Sequence, residues 1–523
     1  MRRMSVPFAL LTAALLSACG STVAGAGNQS GSALGQAGSG AAGSVSGTGL
    51  QGSTPGGSAL PGSTGGSTAL DGTASTTGGG GTGGVPAAGG SGIGSSTGGT
   101  TGVSGGSGTS GSGGGGAAAL GPGVTATEIR LGIPYCGDCA AANAALGAGG
   151  EDPGDTRRYA RAALEDVNSR GGVLGRKLVP VFHEVSASDN IETSQQAACE
   201  TFTKDNKVLA IFFRGEIIYE CAKKAGIIAS GSGGSGPVFE RYPNLFAPAD
   251  IRFERLAAVT VKAMVQAGWQ TPEPKYPTGK IGIVSWDNPD YRFAMDKGWL
   301  PTISAAGLKK PLVRYIAIPQ SDKGIADAGP AISAAVLAFR NEGIDHVFIA
   351  DGPAGIFTGA GLTLLFLQNA KSQNYYPRYG FNSNNAPDFQ SHPQDQLVGM
   401  IAVDSFDTAP ANDAGIAPNP QRERCFAIMR KKGLPVGQGQ TQSVAIGSCE
   451  IAWFTEAIVK RSRSTLLPDM IAGGEALGTS YRSPYSYGNR IGRGQHDGVA
   501  LFRNLRYDES CSCLRYTSKP YEP

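Results

Sequence analysis

The sequence predicts a two-lobed α/β protein, each lobe a parallel sheet flanked by helices, preceded by a disordered Gly/Ser/Thr linker. Three observations predict it. Residues 208–213 (VLAIFF), 280–286 (KIGIVSW) and 345–350 (DHVFIA) are continuous apolar runs, as expected of strands buried on both faces of a parallel sheet. They alternate with stretches whose apolar residues recur at helical spacing. The alternation halts at a polar, proline-rich segment, Thr271–Thr278, and then begins again. That segment is read as the first crossing between the lobes.

The chain opens with Arg2-Arg3 and an apolar run from Val6 to Leu16. The run is too short for a spanning helix, which needs ~20 residues, and it has the form of a signal peptide. It ends in Leu16-Ser17-Ala18-Cys19, which resembles a bacterial lipobox. The resemblance implies a lipidated Cys19 as the mature N-terminus and a membrane anchor outside the cytoplasm. From Gly20 to Gly123 the sequence is almost wholly Gly, Ser, Thr and Ala, with no aromatic residue and one charge, Asp71. Such a stretch cannot bury enough apolar surface to offset its ordering entropy. As flexible coil it would span roughly 55 Å, enough to hold a domain away from a membrane.

Past the linker, 128–134 (EIRLGIP) reads as the first strand, 155–169 as a helix and 178–182 (LVPVF) as the second strand. Between the last two lies RAALEDVNSRGGVLGRKL, in which Gly171-Gly172 supplies the positive φ that a helix C-terminus needs. Helix 190–204, strand 208–213, helix 217–224, strand 226–229 and the long helix 252–267 complete the first run. The second run is strand 280–286, helix 292–305, strand 313–318, helix 325–341, strand 345–350, helix 356–370 and strand 379–381. Residues 397–404 lead back across, 421–432 and 448–463 are helical, and short strand-like pieces follow Ser483.

VNSRGGVLGRKL resembles the N-x-x-GG-(I/V)-x-GR-x-(I/L) segment of type I periplasmic substrate-binding proteins, the branched-chain amino-acid-binding family of ABC importers. A weaker similarity runs over roughly residues 124–520. It implies lobe I from 124–250 plus about 405–480, and lobe II from 251–404 plus about 481–523. It further implies a solute-binding protein, monomeric and not an enzyme, that traps a small polar ligand and passes it to an ABC permease. The alternative is a sensing receptor module of the same fold, uncoupled from import.

Ligands of parallel sheets lie at the carboxyl ends of strands. Those ends carry Tyr135 and Asp138; Arg214, Gly215 and Glu216; Ser230, Gly231 and Ser232; Trp286 and Tyr291; Asp351; and Asn382 and Ser383. In amino-acid-binding relatives the loop after the third strand carries serines that bind the ligand carboxylate, whereas here Arg214-Gly215-Glu216 stand in that place. Ser230-Gly231-Ser232 resembles the family's small-hydroxyl turn, and Tyr291 its second-lobe tyrosine, with Arg292 in place of the glycine. No carboxylate falls near Asn382-Ser383, where the family's acidic residue meets the ligand amine. Asp351 could substitute. The ligand is therefore an amino acid or another small polar compound, with Arg214 either binding an anionic ligand or paired with Glu216.

Nine cysteines less Cys19 leave eight, an even number that in an exported protein points to disulfides. Cys199–Cys221 and Cys425–Cys449 would each tie successive helices. Cys136–Cys139 and Cys511–Cys513 would be local pairs, with a zinc site built from these last four as the competing reading. The four histidines (His183, His346, His392, His496) show no metal-ligand spacing, no cofactor motif is present, and no general acid–base pair stands out. With 44 basic and 41 acidic residues and a net charge of +3, no nucleic-acid surface is expected.

Overall fold

A computed structural model describes residues 120–149, 152–321, 323–352, 361–406, 417–437 and 440–523. The signal peptide, the lipobox with Cys19, and the linker up to residue 119 lie outside the described residues. Two sheets organise the rest. The first is five-stranded and wholly parallel, in the order β2-β1-β3-β4-β5. Its strands are β1 (Glu128–Cys136), β2 (Lys177–Val185), β3 (Ala210–Ile211), β4 (Ile228–Ser230) and β5 (Leu245–Phe246). Pro180, which cannot donate to a ladder, sits in β2 at the sheet edge, where a missing donor costs least.

Strands β6 (Ile281–Asp287), β7 (Leu312–Ala317), β8 (His346–Ala350), β9 (Arg378–Asn382) and β10 (Ile401–Asp404) form the parallel part of the second sheet. An antiparallel hairpin, β11 (Arg503–Asp508) and β12 (Cys513–Tyr516), extends it to the order β12-β11-β10-β9-β8-β6-β7.

Helix Thr156–Ser169 shows how local sequence fixes an element. Asp155 caps it by accepting from the Arg157 N–H, and its apolar stripe (Ala160, Ala163, Leu164, Val167) is buried on the first sheet. It stops at Gly171 and Gly172, with φ of 96° and 70°. A Cβ on Gly172 would lie 2.1 Å from the Arg176 carbonyl oxygen, so the turn into β2 admits no side chain there. Helices Pro420–Lys431 and Gln440–Arg461 pack on the same core through Cys425, Phe426, Cys449 and Phe454. Helix Phe253–Gln266 instead packs on the second sheet through Leu256, Val261 and Met264, around Phe348 and Val403.

The chain therefore changes lobes ahead of that helix, and this corrects the reading of Thr271–Thr278. That segment is a surface turn of lobe II: Thr278 N–H donates to Asp345, the Tyr276 hydroxyl donates to the Val398 carbonyl, and Glu273 pairs with Arg378. The crossing lies at residues 247–252, beside a return crossing at 496–499. Ala247 and Asp497 bridge in parallel, and Asp497, fully buried, accepts from Arg252 and Arg255. A third crossing leaves β10, where Phe406 bridges Ser486.

Each lobe grips a crossing with a buried carboxyl. Asp404, at the end of β10, accepts from Ser383, Tyr487 and Tyr516. Glu450, on the lobe I helix, accepts from Tyr481 and Ser483. Burial pushes both carboxyls up to about 7, against these hydrogen bonds.

All eight cysteines outside the leader are joined, in the pairs Cys136–Cys139, Cys199–Cys221, Cys425–Cys449 and Cys511–Cys513. The zinc alternative is thereby overturned, because the sulfurs it needs are already bonded to one another. Among the described residues the one group close enough to share an ion is Cys136, Asp138 and Cys139, and two of its members form a disulfide.

Candidate functional site: the cleft between the lobes

A cavity of about 260 Å³ opens between the two sheets' carboxyl ends. Lobe I lines it with Gln195, Arg214, Gly215, Glu216, Tyr219 and the turn Ser232–Gly234. Lobe II lines it with Phe253, Asn288, Asp290, Tyr291 and Ile318. Of the residues predicted for the site, the structure gathers Arg214, Gly215, Glu216, Ser232 and Tyr291 here.

Arg214 follows β3, and Gly215 after it has φ 121°, a backbone state closed to ordinary side chains. A Cβ there would lie 2.2 Å from the Gln195 amide, so glycine is what lets this helix face close on the loop. Glu216, the residue that the self-paired alternative set against Arg214, is engaged by its own lobe. It accepts from Arg241 at 2.7 Å and from the Tyr242 hydroxyl at 3.2 Å. Behind the wall, burial raises Asp250 to about 6, while the Ile251 and Gly233 N–H groups and the Arg214 charge act against that rise.

On lobe II, Asn288 caps helix Pro289–Ala294 by accepting from the Tyr291 N–H at 2.9 Å. The first turn of that helix then holds Asp290 and Tyr291 over the cavity. Tyr291 stacks on Phe253 with ring centroids 5.0 Å apart. Burial raises its hydroxyl well above the usual range, with Asp351 adding to the rise. The Asp290 carboxyl is also raised, chiefly by burial, and it accepts from the Ser235 hydroxyl of lobe I. A second inter-lobe bond runs from Ile191 N–H to the Gln320 carbonyl at 2.9 Å, and a third from Gln368 to the Leu146 carbonyl at 3.4 Å. The lobes are fastened together around the cavity.

The remaining predicted residues lie elsewhere. Ser230 and Gly231, again with Ser232, face a second cavity of about 300 Å³ on the hinge side, walled by Phe406, Ile451 and Tyr485. Trp286 is fully buried in the lobe II core and donates its indole N–H to Asp351 at 2.9 Å, so the lobe II aromatic wall is Tyr291 with Phe253 and not Trp286. Asp351 also accepts from the N–H groups of Gly352 and Thr363 and from the Thr363 hydroxyl. Four donors occupy the carboxylate that was expected to take a ligand amine. Asn382 caps its own turn and bonds Thr260, and Ser383 donates to Asp404. Tyr135 donates to Glu184 under Arg157, and Asp138 holds Ser186 and the Ala187 N–H. These two brace the loop of the Cys136–Cys139 disulfide outside the cavity.

Gln195, Tyr219, Phe253 and Ile318 were missed, and Asn288 and Asp290 lay within the strand-end stretch Trp286–Tyr291 without being singled out. Asn288-Pro289-Asp290 did carry a signal, a cap with proline at the first helical position directly after a strand. Gln195 carried none: it is buried, and helical periodicity does not reveal which neighbour a polar residue meets.

No protein-family profile matches the chain, and no curated protein sequence does. Solved structures do. A fatty acid ABC transporter substrate-binding protein from Thermomonospora curvata superposes with a TM-score of 0.56 at 16% identity, over 78% of this chain and 95% of that one. A type 1 periplasmic binding protein from Bordetella pertussis Tohama I gives 0.54 at 13% identity, over 75% of this chain and 100% of that one. An ABC transporter solute-binding protein from Rhodopseudomonas palustris HaA2, in complex with p-hydroxybenzoic acid, gives 0.54 at 15%, over 76% and 97%. At such identities the likeness is one of fold. The chain has the two-lobed fold of type I periplasmic binding proteins.

Proposed function

We propose that this protein is an extracytoplasmic solute-binding protein, held to the membrane by lipid on Cys19, that closes its lobes over a small carboxylate and presents it to an ABC permease. The observation that carries the reading is the pairing of opposite chemistries across the cleft. Arg214 lies on one wall and Asp290 with Asn288 on the other, with the Tyr291 and Phe253 rings between them. Arg214 would take the anionic end of the ligand, Asp290 and Asn288 an amine or hydroxyl, and the rings its apolar body. Two of the structural neighbours are named for a fatty acid and for p-hydroxybenzoic acid, both carboxylic acids, which is the group Arg214 suits. The moving bodies would be residues 124–250 with about 405–480, and 251–404 with about 481–523. The protein would act as a monomer, and its linker would give the reach that delivery needs.

The test is a thermal-shift screen of aliphatic, aromatic and amino carboxylates together with their uncharged amides. A ligand at a thousandfold excess over Kd should add ~4 kcal/mol to stability, and that gain should vanish in Arg214→Ala. A panel in which only uncharged compounds stabilise, or in which Arg214→Ala binds equally well, would overturn the assignment. Anchoring is tested separately: Cys19→Ser should leave the membrane fraction, and its retention there would refute the lipid tether.

A further inference from the structure

The tip of the lobe II hairpin is chemically unlike the rest of the molecule. Cys511 and Cys513 are joined across a single intervening residue, Ser512, which holds a positive φ of 48°. The pair is also the most exposed, with Cys511 and Ser512 open to solvent, whereas Cys425 and Cys449 are fully buried and Cys139 and Cys221 nearly so. Its two sulfurs differ from each other. Cys513 lines a cavity of about 300 Å³ between the hairpin and the loop carrying Asp388, Phe389 and Gln390, with Tyr507 and Leu514 as its floor. Cys511 is outside that lining, and the Arg515 guanidinium lies 3.8 Å from its sulfur. Arg515 is held in place by a 2.6 Å bond to Asp508, which the Ser510 N–H and hydroxyl fix in turn.

We propose that Cys511–Cys513 is a thiol–disulfide exchange site for small peptide-like thiols, with Cys513 the attacked sulfur and Cys511 the leaving group. An incoming thiolate reaches Cys513 through the cavity. A bond forms between its sulfur and Cys513 Sγ while the Cys513–Cys511 bond breaks, and the electron pair leaves on Cys511 Sγ. Arg515 stabilises that thiolate, and exchange is faster when the leaving thiol has a lower pKa. A second thiolate then attacks the non-protein sulfur of the mixed disulfide. This releases the small-molecule disulfide and the Cys513 thiolate, and the protons of the two consumed thiols end on Cys511 and Cys513. Two electrons thus pass from two thiols to one disulfide, and the small-molecule disulfide reverses the sequence. Exposure and the short spacer favour exchange here over the three other bridges, because exposed or strained disulfides are the labile ones.

The experiment incubates the full chain in reduced and oxidised glutathione without denaturant, blocks free thiols by alkylation and maps the peptides. Cys511–Cys513 should open at least ~10-fold faster than the other pairs, with the trapped glutathione adduct on Cys513. Arg515→Ala should slow the opening ~5-fold, and Arg515→Lys should restore most of the rate. In Cys513→Ser, the lone Cys511 thiol should ionise below the ~8.5 of free cysteine, and adding Arg515→Ala should return it there. The last readout does not depend on the disulfide. Opening of all four bridges together, an adduct on Cys511, or a Cys511 thiol indifferent to Arg515 would each overturn the assignment.

Discussion

The two walls of the cleft are made differently. Lobe I sets its side chains around braced main chain: Gly215 in a left-handed state, the Gly233 N–H tied to Asp250 at 2.7 Å, and the Ser232 carbonyl held by the Tyr219 hydroxyl at 2.9 Å. Arg214 is, among the described residues, its one cationic side chain on the cavity. Lobe II presents side chains, Asn288, Asp290 and Tyr291, from one short capped helix. A wall whose shape is fixed by backbone bonds within its own lobe is formed before closure. A wall of side chains completes the site only when it arrives. Under the proposed function, the asymmetry would divide the work into initial capture on lobe I and retention by lobe II.

At the hinge the lobes are alike, and the largest expected effect on stability tests that. Asp404 and Glu450 each hold a crossing and each keeps a proton up to about pH 7 in the folded protein, against about 4 when unfolded. The sign follows from linkage. Between those values the folded state binds more protons, so each group's contribution is complete below pH 4 and is lost as pH rises toward 7. Asp404→Asn and Glu450→Gln cannot ionise, so each should gain stability relative to the wild type as pH rises through that window, by at most ~4 kcal/mol. Chemical denaturation at several pH values measures it. A variant-to-wild-type difference that stays flat with pH would show that the hinge carboxyls are ionised when folded.

Arg214→Ala comes next and strikes the capture wall. Affinity for a bound carboxylate should fall by ~2–5 kcal/mol, measured by calorimetry, because the ligand charge would be buried without its partner. Gly215→Ala tests whether that wall is truly a backbone structure. Its Cβ meets both a forbidden φ and the Gln195 amide, so a loss above ~2 kcal/mol is expected in urea melts. Gly226→Ala is the control, with φ 70° but nothing within 4 Å of the new Cβ, and should lose only about 1 kcal/mol. Equal losses would mean that Gln195 simply moves aside.

The sequence revealed the fold more fully than the site, and particular residues show why. The apolar run 208–213 marked a buried strand, and its regular part is Ala210–Ile211, with the Leu209 and Phe212 N–H groups donating to the Arg130 and Gly132 carbonyls of β1 on either side. Thr271–Thr278 looked like a crossing because a surface turn and an inter-lobe connection share the same polar, proline-rich composition. The strand-end rule named six loops at the carboxyl edges, passed over the one after β7 that brings Ile318 to the cavity, and could not say which loops face the partner lobe. It therefore selected Tyr135 and Asp138, which brace a disulfide loop, along with Arg214 and Tyr291, which face the cleft. Asp351 and Trp286 satisfied each other inside lobe II, and a hydrogen-bond pair formed between residues 65 apart leaves no trace in local pattern.

Tyr291 gives the smallest effect on binding and the sharpest reading of the proposed division of labour. Its ring is set by the Asn288 cap and the stack on Phe253, both within lobe II, so removing it should leave the lobe I wall intact. Encounter with lobe I should then proceed at the wild-type rate, while the closed complex loses one aromatic contact. Tyr291→Ala should raise koff about tenfold with kon unchanged, equivalent to about 1.4 kcal/mol. Trp286→Phe is the matched control: it removes the indole bond to Asp351 in the same lobe, so it should lower the melting temperature and leave koff alone. Stopped-flow or surface-based kinetics on both variants decide the matter. A fall in kon for Tyr291→Ala would place this residue in the encounter, and the two walls would then share the capture step.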